Sequence, residues 1–303
     1  MPEEQHEEVA GAGQQRELPG HIAALLARSA KDEHGRPADS AGVAWAGRDL
    51  SGAGNPLHTF DGDDGLMTAQ IAQARELLLG GALTEAGFVE ALRGQRLFVP
   101  VIATRAEEGQ RLDGPEAPVG DKQADIALIS LTSSSGRRTM PIFTSVQALT
   151  QWHPEARPVA AETERVMLAA LDEGAELVVL DPGSEVDFVI RRPAMTDLAQ
   201  GVCWTPSYDD PEIAAELEGI LDYCPGVQRL IVTAGTGVGT VSAAGTAIAG
   251  GGAGPELRIV VVTEPGLDEV DVRMAVASVR ASLTELELLR ERADSVELTA
   301  GSA

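Results

Sequence analysis

Two apolar rhythms alternate along the chain from about Leu66. Ile71, Ala74, Leu77 and Leu78 recur every three or four residues, the spacing of one helix face, and Gly80–Gly81 ends that run. Thr84 is placed to cap a second helix with Phe88, Ala91 and Leu92 on its apolar side, closed by Gly94. The rhythm then shortens. RLFVPVIA reads as a strand, and Pro100 has no amide to give a ladder, which predicts an edge position or a bulge. ADIALISL (124–131) is apolar on both faces and predicts a central strand. SSSG turns it into RRTMPIF, so the two should form a hairpin. Thr144 stands three residues before Gln147, the spacing of a capping box, ahead of a short helix VQALTQW.

The same alternation continues. Val166, Met167, Ala170 and Leu171 mark a helix stopped by Gly174, and LVVL, the turn DPGS and VDFVI predict a second hairpin. Asp209-Asp210-Pro211-Glu212 is a helix start, with a cap, proline in the first turn and an acid beside the positive end of the helix dipole. VQRLIVT and ELRIVVVT are strands, LDEVDVRMAVASVRASL is a long amphipathic helix and SVELTA a final strand. The expected fold is therefore α+β, with mixed, largely hairpin-paired sheets and helices in two units. Their expected bounds are 66–206 and 207–303, the second carrying a Gly-rich loop at 234–256. Residues 1–65 lack either rhythm, apart from HIAALLAR at 21–28, and read as a disordered arm.

Composition narrows the function classes. The chain has 303 residues and a formal net charge of −24, which repels phosphate backbones and anionic lipid, so neither nucleic acid nor membrane is an expected partner. No apolar run reaches about 18 residues, the length of a membrane span. The acidic start MPEEQHEEVAGAG lacks the basic-then-apolar order of an export signal, which makes the cytoplasm the expected location. Cys203 and Cys224 are far apart, and four of the five histidines precede residue 60, so no metal is expected and the thiols read as buried or half-buried.

Four stretches invite a chemical reading. LIVTAGTGVGT has the outline of a dinucleotide fingerprint, with Gly235, Gly237 and Gly239 after a strand and Glu264 at the end of another. The stretch that follows is broken by glycines and makes a poor helix, so a loop is the stronger expectation and no cofactor is assigned. The acids of FDGDDG lack the twelfth-position glutamate of a calcium loop and read as turn chemistry. His153 is the one histidine in the ordered part, beside Trp152 and Pro154, and no catalytic residue is assigned. Asp121, Lys122 and Asp125 precede one strand, while Arg137, Thr144 and Ser145 follow the hairpin turn. If the strand ends converge, these six form a polar patch for a partner protein.

Several strings resemble the SseB family, named for an enhanced serine-sensitivity phenotype, in its actinobacterial form. They are FDGDDG (60–65), LFVPV (97–101), DKQADIALISLT (121–132), GRRTMPIFTSVQALTQW (136–152), ARPV (156–159), VVLDPGSEVDFVIRRPAM (178–195), LAQG (198–201) and Trp204-x-Pro206. The resemblance implies a cytosolic protein with a variable C-terminal region and without recognised catalytic residues or cofactor. The leading expectation is a non-catalytic protein acting by protein interaction or regulation, through an unknown protein partner and compatible with a homo-oligomer. The alternatives are a nucleotide-binding protein or enzyme using Gly235–Gly239, and an amino-acid sensor.

Overall fold

The computed structural model describes residues 60, 63–104, 125–133 and 136–301. Most of the expected arm lies outside the described residues. The described residues from Asp63 to Gly301 pack as one compact unit.

Helices α1 (Ala69–Leu79) and α2 (Glu85–Leu92) start at Thr68 and Thr84, whose side chains accept from the Ile71 and Gly87 amides. Strand β1 (Arg96–Thr104) lies between β2 (Asp125–Leu128) and β5 (Arg157–Glu162), both antiparallel to it. This corrects the edge expected for the Pro100 strand. Pro100 stands opposite Pro158, and pairing with β2 begins only at Val101. No ladder bond needs either missing amide.

The apolar run expected as one central strand is divided between two sheets. Its first half is β2, at a sheet edge. Its last residue, Leu131, opens β3 (Leu131–Thr132), which makes the expected hairpin with β4 (Arg138–Ile142). The break is at Ile129–Ser130, where the chain leaves one sheet for the other. The second sheet runs β3-β4-β6-β7, with β6 Leu177–Leu180 and β7 Phe188–Arg191 forming the expected second hairpin. β4 and β6 are parallel, joined through α3 (Val146–Trp152), β5 and α4 (Thr163–Asp172). The cap of α3 is Ser145, which accepts from the Ala148 amide, and not Thr144. Thr144 turns inward instead, donating from its hydroxyl and its amide to the buried Asp181 carboxylate at 2.7 and 2.8 Å.

Helix α5 (Arg192–Gln200) has Pro193 in its first turn and ends at Gly201 in the left-handed region. Helix α6 (Pro211–Gly219) is capped by Asp210 as the sequence expects. The last sheet runs β12-β11-β8, from β8 (Val227–Ala234), β11 (Leu257–Thr263) and β12 (Val296–Gly301), with β8 antiparallel and β12 parallel to β11. Helix α7 (Glu269–Glu285) buries Ala275, Val279 and Leu283, and α8 (Glu287–Arg292) follows it. Leu257, Ile259 and Val261 of β11 join them with Ile213 and Leu217 of α6 in a C-terminal core. The larger core gathers Ile71, Phe88, Leu97, Ile142, Phe188 and Met195. The mixed, open sheets and helices make this an α+β fold.

The Gly-rich stretch is not a bare loop. It contains β9 (Gly239–Val241) and β10 (Ala247–Gly251), an antiparallel hairpin. Ile248 of β10 is buried in the larger core, among residues more than forty positions earlier.

Candidate functional site

Arg191 ends β7, and its side chain is fully buried. One terminal nitrogen donates to the Gly237 and Gly252 carbonyls at 3.0 and 2.6 Å, the other to the Gly254 carbonyl at 2.8 Å and to Asp294 at 3.2 Å. Arg137, just before β4, also pairs with Asp294. Burial alone would raise the Asp294 carboxyl, but the Arg137 and Arg191 guanidiniums outweigh it and hold the group below the usual aspartate range.

Two more buried acids complete this seam. Glu256 accepts from the amides of Ser207 and Asp294 at 3.2 and 2.6 Å. Glu85, the first residue of α2, accepts from the Gly251 amide at 3.1 Å and the Tyr208 hydroxyl at 3.0 Å. Burial raises both carboxyls above the usual glutamate range, against the pull of these hydrogen bonds and of Arg191. Burial and the neighbouring Glu85 push the Tyr208 phenol up as well.

The glycines serve this seam. A Cβ on Gly237 would lie 2.1 Å from the Gly254 backbone, so no side chain fits there. Gly251 has φ +71° and packs against the Phe188 ring, where a Cβ would come within 2.4 Å. The Gly235 and Gly237 amides are already donated to the Glu256 and Pro255 carbonyls, and the chain continues into a turn and β9, not a helix. A dinucleotide cradle needs free amides at a helix start. The fingerprint outline therefore has no such geometry behind it. What the stretch presents is carbonyl oxygen, aimed at a cation of the same chain.

Over the seam lies a cleft between α5 and α8. Two adjoining cavities of about 420 and 790 Å³ share Pro193, Thr196, Asp197, Glu291 and Arg292. Arg292 bridges Asp210 and Glu212 at 3.0 and 2.8 Å. Burial raises the Asp197 carboxyl, tempered by Arg292, and its oxygens have no hydrogen-bond or ion-pair partner among the described residues. Arg290 and Glu291 likewise make no ion pair among them. Trp204 and the exposed Cys203 line one end. The exposure of Cys203 departs from the sequence expectation, because it follows the helix-ending Gly201 and faces the cleft. Cys224 is buried as expected.

The family model of the SseB protein N-terminal domain matches residues 71–197, from α1 through the first turns of α5. Residues 71–197 are an SseB N-terminal domain. No curated protein matches it. The SseB domain supplies Arg137, Arg191 and Glu85 to the seam. Their partners Gly237, Gly251, Gly252, Gly254 and Asp294 come from beyond it.

The six residues of the expected patch all fall within the range matched by the SseB domain. Asp121 and Lys122 lie outside the described residues, and of Asp125 only the backbone is described, in β2. Arg137 stands at the start of β4, on the wall of the cleft. Thr144 and Ser145 follow the other end of β4, the first buried on Asp181 and the second spent as a helix cap. The structure thus separates Arg137 from Thr144 and Ser145 by the length of the strand.

Asp63 and Asp64 accept from the amides of Gly65 and Leu66, the expected turn chemistry, and Asp63 pairs with Arg96. His153 ends α3, with its ring against Trp152 and Nδ1 buried. Sequence reasoning passed over Glu85, Arg191, Glu256 and Asp294. The available signal was Arg191–Arg192 directly after the apolar run VDFVI, a charge at the end of a strand buried on both faces.

Proposed function

We propose that this chain is a non-catalytic, cytosolic regulatory protein of the SseB family whose α5–α8 cleft holds an extended polar segment of a partner protein. The observation that carries this reading is the division of charges in and beneath the cleft. Those on its wall and beneath it, Arg137, Arg191 and Asp294, are consumed in holding the chain together. Those on its rim, Asp197, Arg290 and Glu291, are unspent among the described residues and available for recognition. An elongated groove with both signs of charge suits a peptide backbone with polar side chains. No helix of the described residues is long and apolar enough to cross a membrane.

The test places a photo-crosslinking residue at Thr196, on the cleft floor, and another at the exposed Leu168 as a control, in cells carrying the full chain. The reading expects a protein adduct from position 196 that Asp197→Lys abolishes and position 168 does not give. Adducts indifferent to Asp197→Lys would overturn it. A thermal shift with serine or another free amino acid, lost in Asp197→Lys, would replace it with the sensor reading.

A further inference from the structure

Helix α7 carries a second surface, on the side of the C-terminal core away from its sheet. Ala275, Val279 and Leu283 face inward. Val270, Met274, Ala277 and Ala281 follow one another at four, three and four residues, so they share the opposite face. All four are exposed, Met274 to 67% and Val270 to 53%. Large apolar side chains at this exposure, in register along one helix, are the pattern of a docking seam.

The flank of this stripe is basic. Arg273 and Arg280 lie seven residues apart, about 10 Å along the helix axis. A groove runs beside them past Val276, Ala277 and Ala281. It continues between α7 and α8 along Leu289 and Val296, where Arg290 joins its wall. The three arginines make no ion pair among the described residues. The acid lining the groove, Asp294, is already held by Arg137 and Arg191. A chain of net charge −24 thus keeps three unpartnered guanidiniums beside its most exposed apolar helix face.

We infer that this face docks an amphipathic helix of a partner protein whose apolar stripe lies over Ala277 and Ala281 and whose flank carries carboxylates seven residues apart. The small alanines let a partner helix come close along the turns that follow Met274. The carboxylate spacing matches Arg273 and Arg280. A second copy of this chain fits less well. Pairing two α7 helices antiparallel, with Met274 over Ala277, brings both basic flanks to the same side of the seam, with Arg273 of one displaced only about 3 Å along the axis from Arg280 of the other.

The experiment displays a library of amphipathic helical peptides with a fixed heptad apolar stripe and randomised flanking positions, selected on the full chain. Selection should enrich Asp or Glu at flank positions seven apart. The enriched peptide should bind at least tenfold more weakly to the Arg273→Glu, Arg280→Glu variant and unchanged to Asp197→Lys, whose substitution lies in the other cleft. No enrichment, enrichment of basic flanks, or binding indifferent to the arginine reversal would overturn the inference. So would sedimentation showing a dimer of the full chain that Met274→Asp dissociates, because a second copy would then occupy the face. Melting of each variant by circular dichroism separates lost binding from lost folding.

Discussion

The corner after β4 and the glycine hairpin β9–β10 bury chain by opposite means. At the corner, Phe98 and Phe143 exchange backbone hydrogen bonds, and Phe143 packs on Trp152 with ring centroids 5.3 Å apart. Apolar side chains fill that space, and one hydroxyl-carboxylate contact, Thr144 to Asp181, closes it. At the hairpin few side chains are buried, Ile248 chief among them. Backbone meets backbone, and the enclosed polar atoms are carbonyls pointing at Arg191. The first arrangement draws on apolar area, the second on a charge that water can no longer reach. They fail differently. A truncated phenylalanine leaves a hole of fixed size, whereas a removed arginine leaves several polar groups without a partner.

The largest effect expected from this contrast is the replacement of residues 236–254 by an Asn-Gly turn. A free loop of that length would tolerate shortening, since closure entropy changes slowly. Here the change removes the three carbonyl partners of Arg191 and the buried Ile248, so a loss of about 5 kcal/mol or more in urea unfolding is expected. A melt within about 1 kcal/mol of the parent would show that the hairpin is only a connector.

Single substitutions sharpen the comparison. Arg191→Ala should cost about 3–5 kcal/mol, because its carbonyl partners and part of the Asp294 carboxylate lose their donor in a dry site. Phe143→Ala, at a fully buried position, should cost about 3–4 kcal/mol. Thr144→Ala should cost less, about 1–2 kcal/mol, through the hydroxyl it withdraws from Asp181. A Thr144 effect above that of Phe143 in the same denaturant series would place the weight of the corner on its polar contact.

The smallest effect is in pH, and its sign follows from the seam. Glu85 and Glu256 have raised carboxyls, so each is a cost at neutral pH that fades as pH falls through its folded value. Asp294 has a lowered one, so its contribution holds above the unfolded value near 4 and is lost as pH falls through the folded value. Melting temperature should therefore rise from about pH 7 to about pH 5 and fall steeply below about pH 4. Glu85→Gln, which keeps an acceptor for Gly251 and can reverse its bond with Tyr208, should flatten the rise and leave the acid fall in place. A monotonic decline from pH 7 in the parent chain would contradict this.

The same contrast explains what the sequence made legible. Helical and strand periods report which side chains leave water, and they placed α1, α2, α4, α7 and both early hairpins. The resemblance of FDGDDG through PIFTS and VDFVIRRPAM to the SseB family extended that reading across most of residues 60–206. Periods are blind to pairing between a side chain and a distant backbone. A run rich in glycine has no side-chain rhythm at all, so the hairpin read as a loop. Arg191 was passed over, because little local to it distinguishes it from its exposed neighbour Arg192. The split of ADIALISL between two sheets escaped for a related reason. An apolar run shows that its residues are buried, not which neighbours bury them. The cleft combines both difficulties, since its walls come from α5 and α8, nearly a hundred positions apart.

Arg191 also sets a timetable for synthesis. It leaves the ribosome with the SseB domain, yet its carbonyl partners follow some fifty residues later and Asp294 about a hundred residues later. At ordinary elongation rates that interval is on the order of ten seconds. During it the half-made protein holds a naked guanidinium at the end of β7 and, above Phe188, the vacancy that Gly251 will fill. The domain that carries the family's signature is thus the one that must wait, and nascent chains stalled before residue 294 are the form in which it is most open to proteases and chaperones.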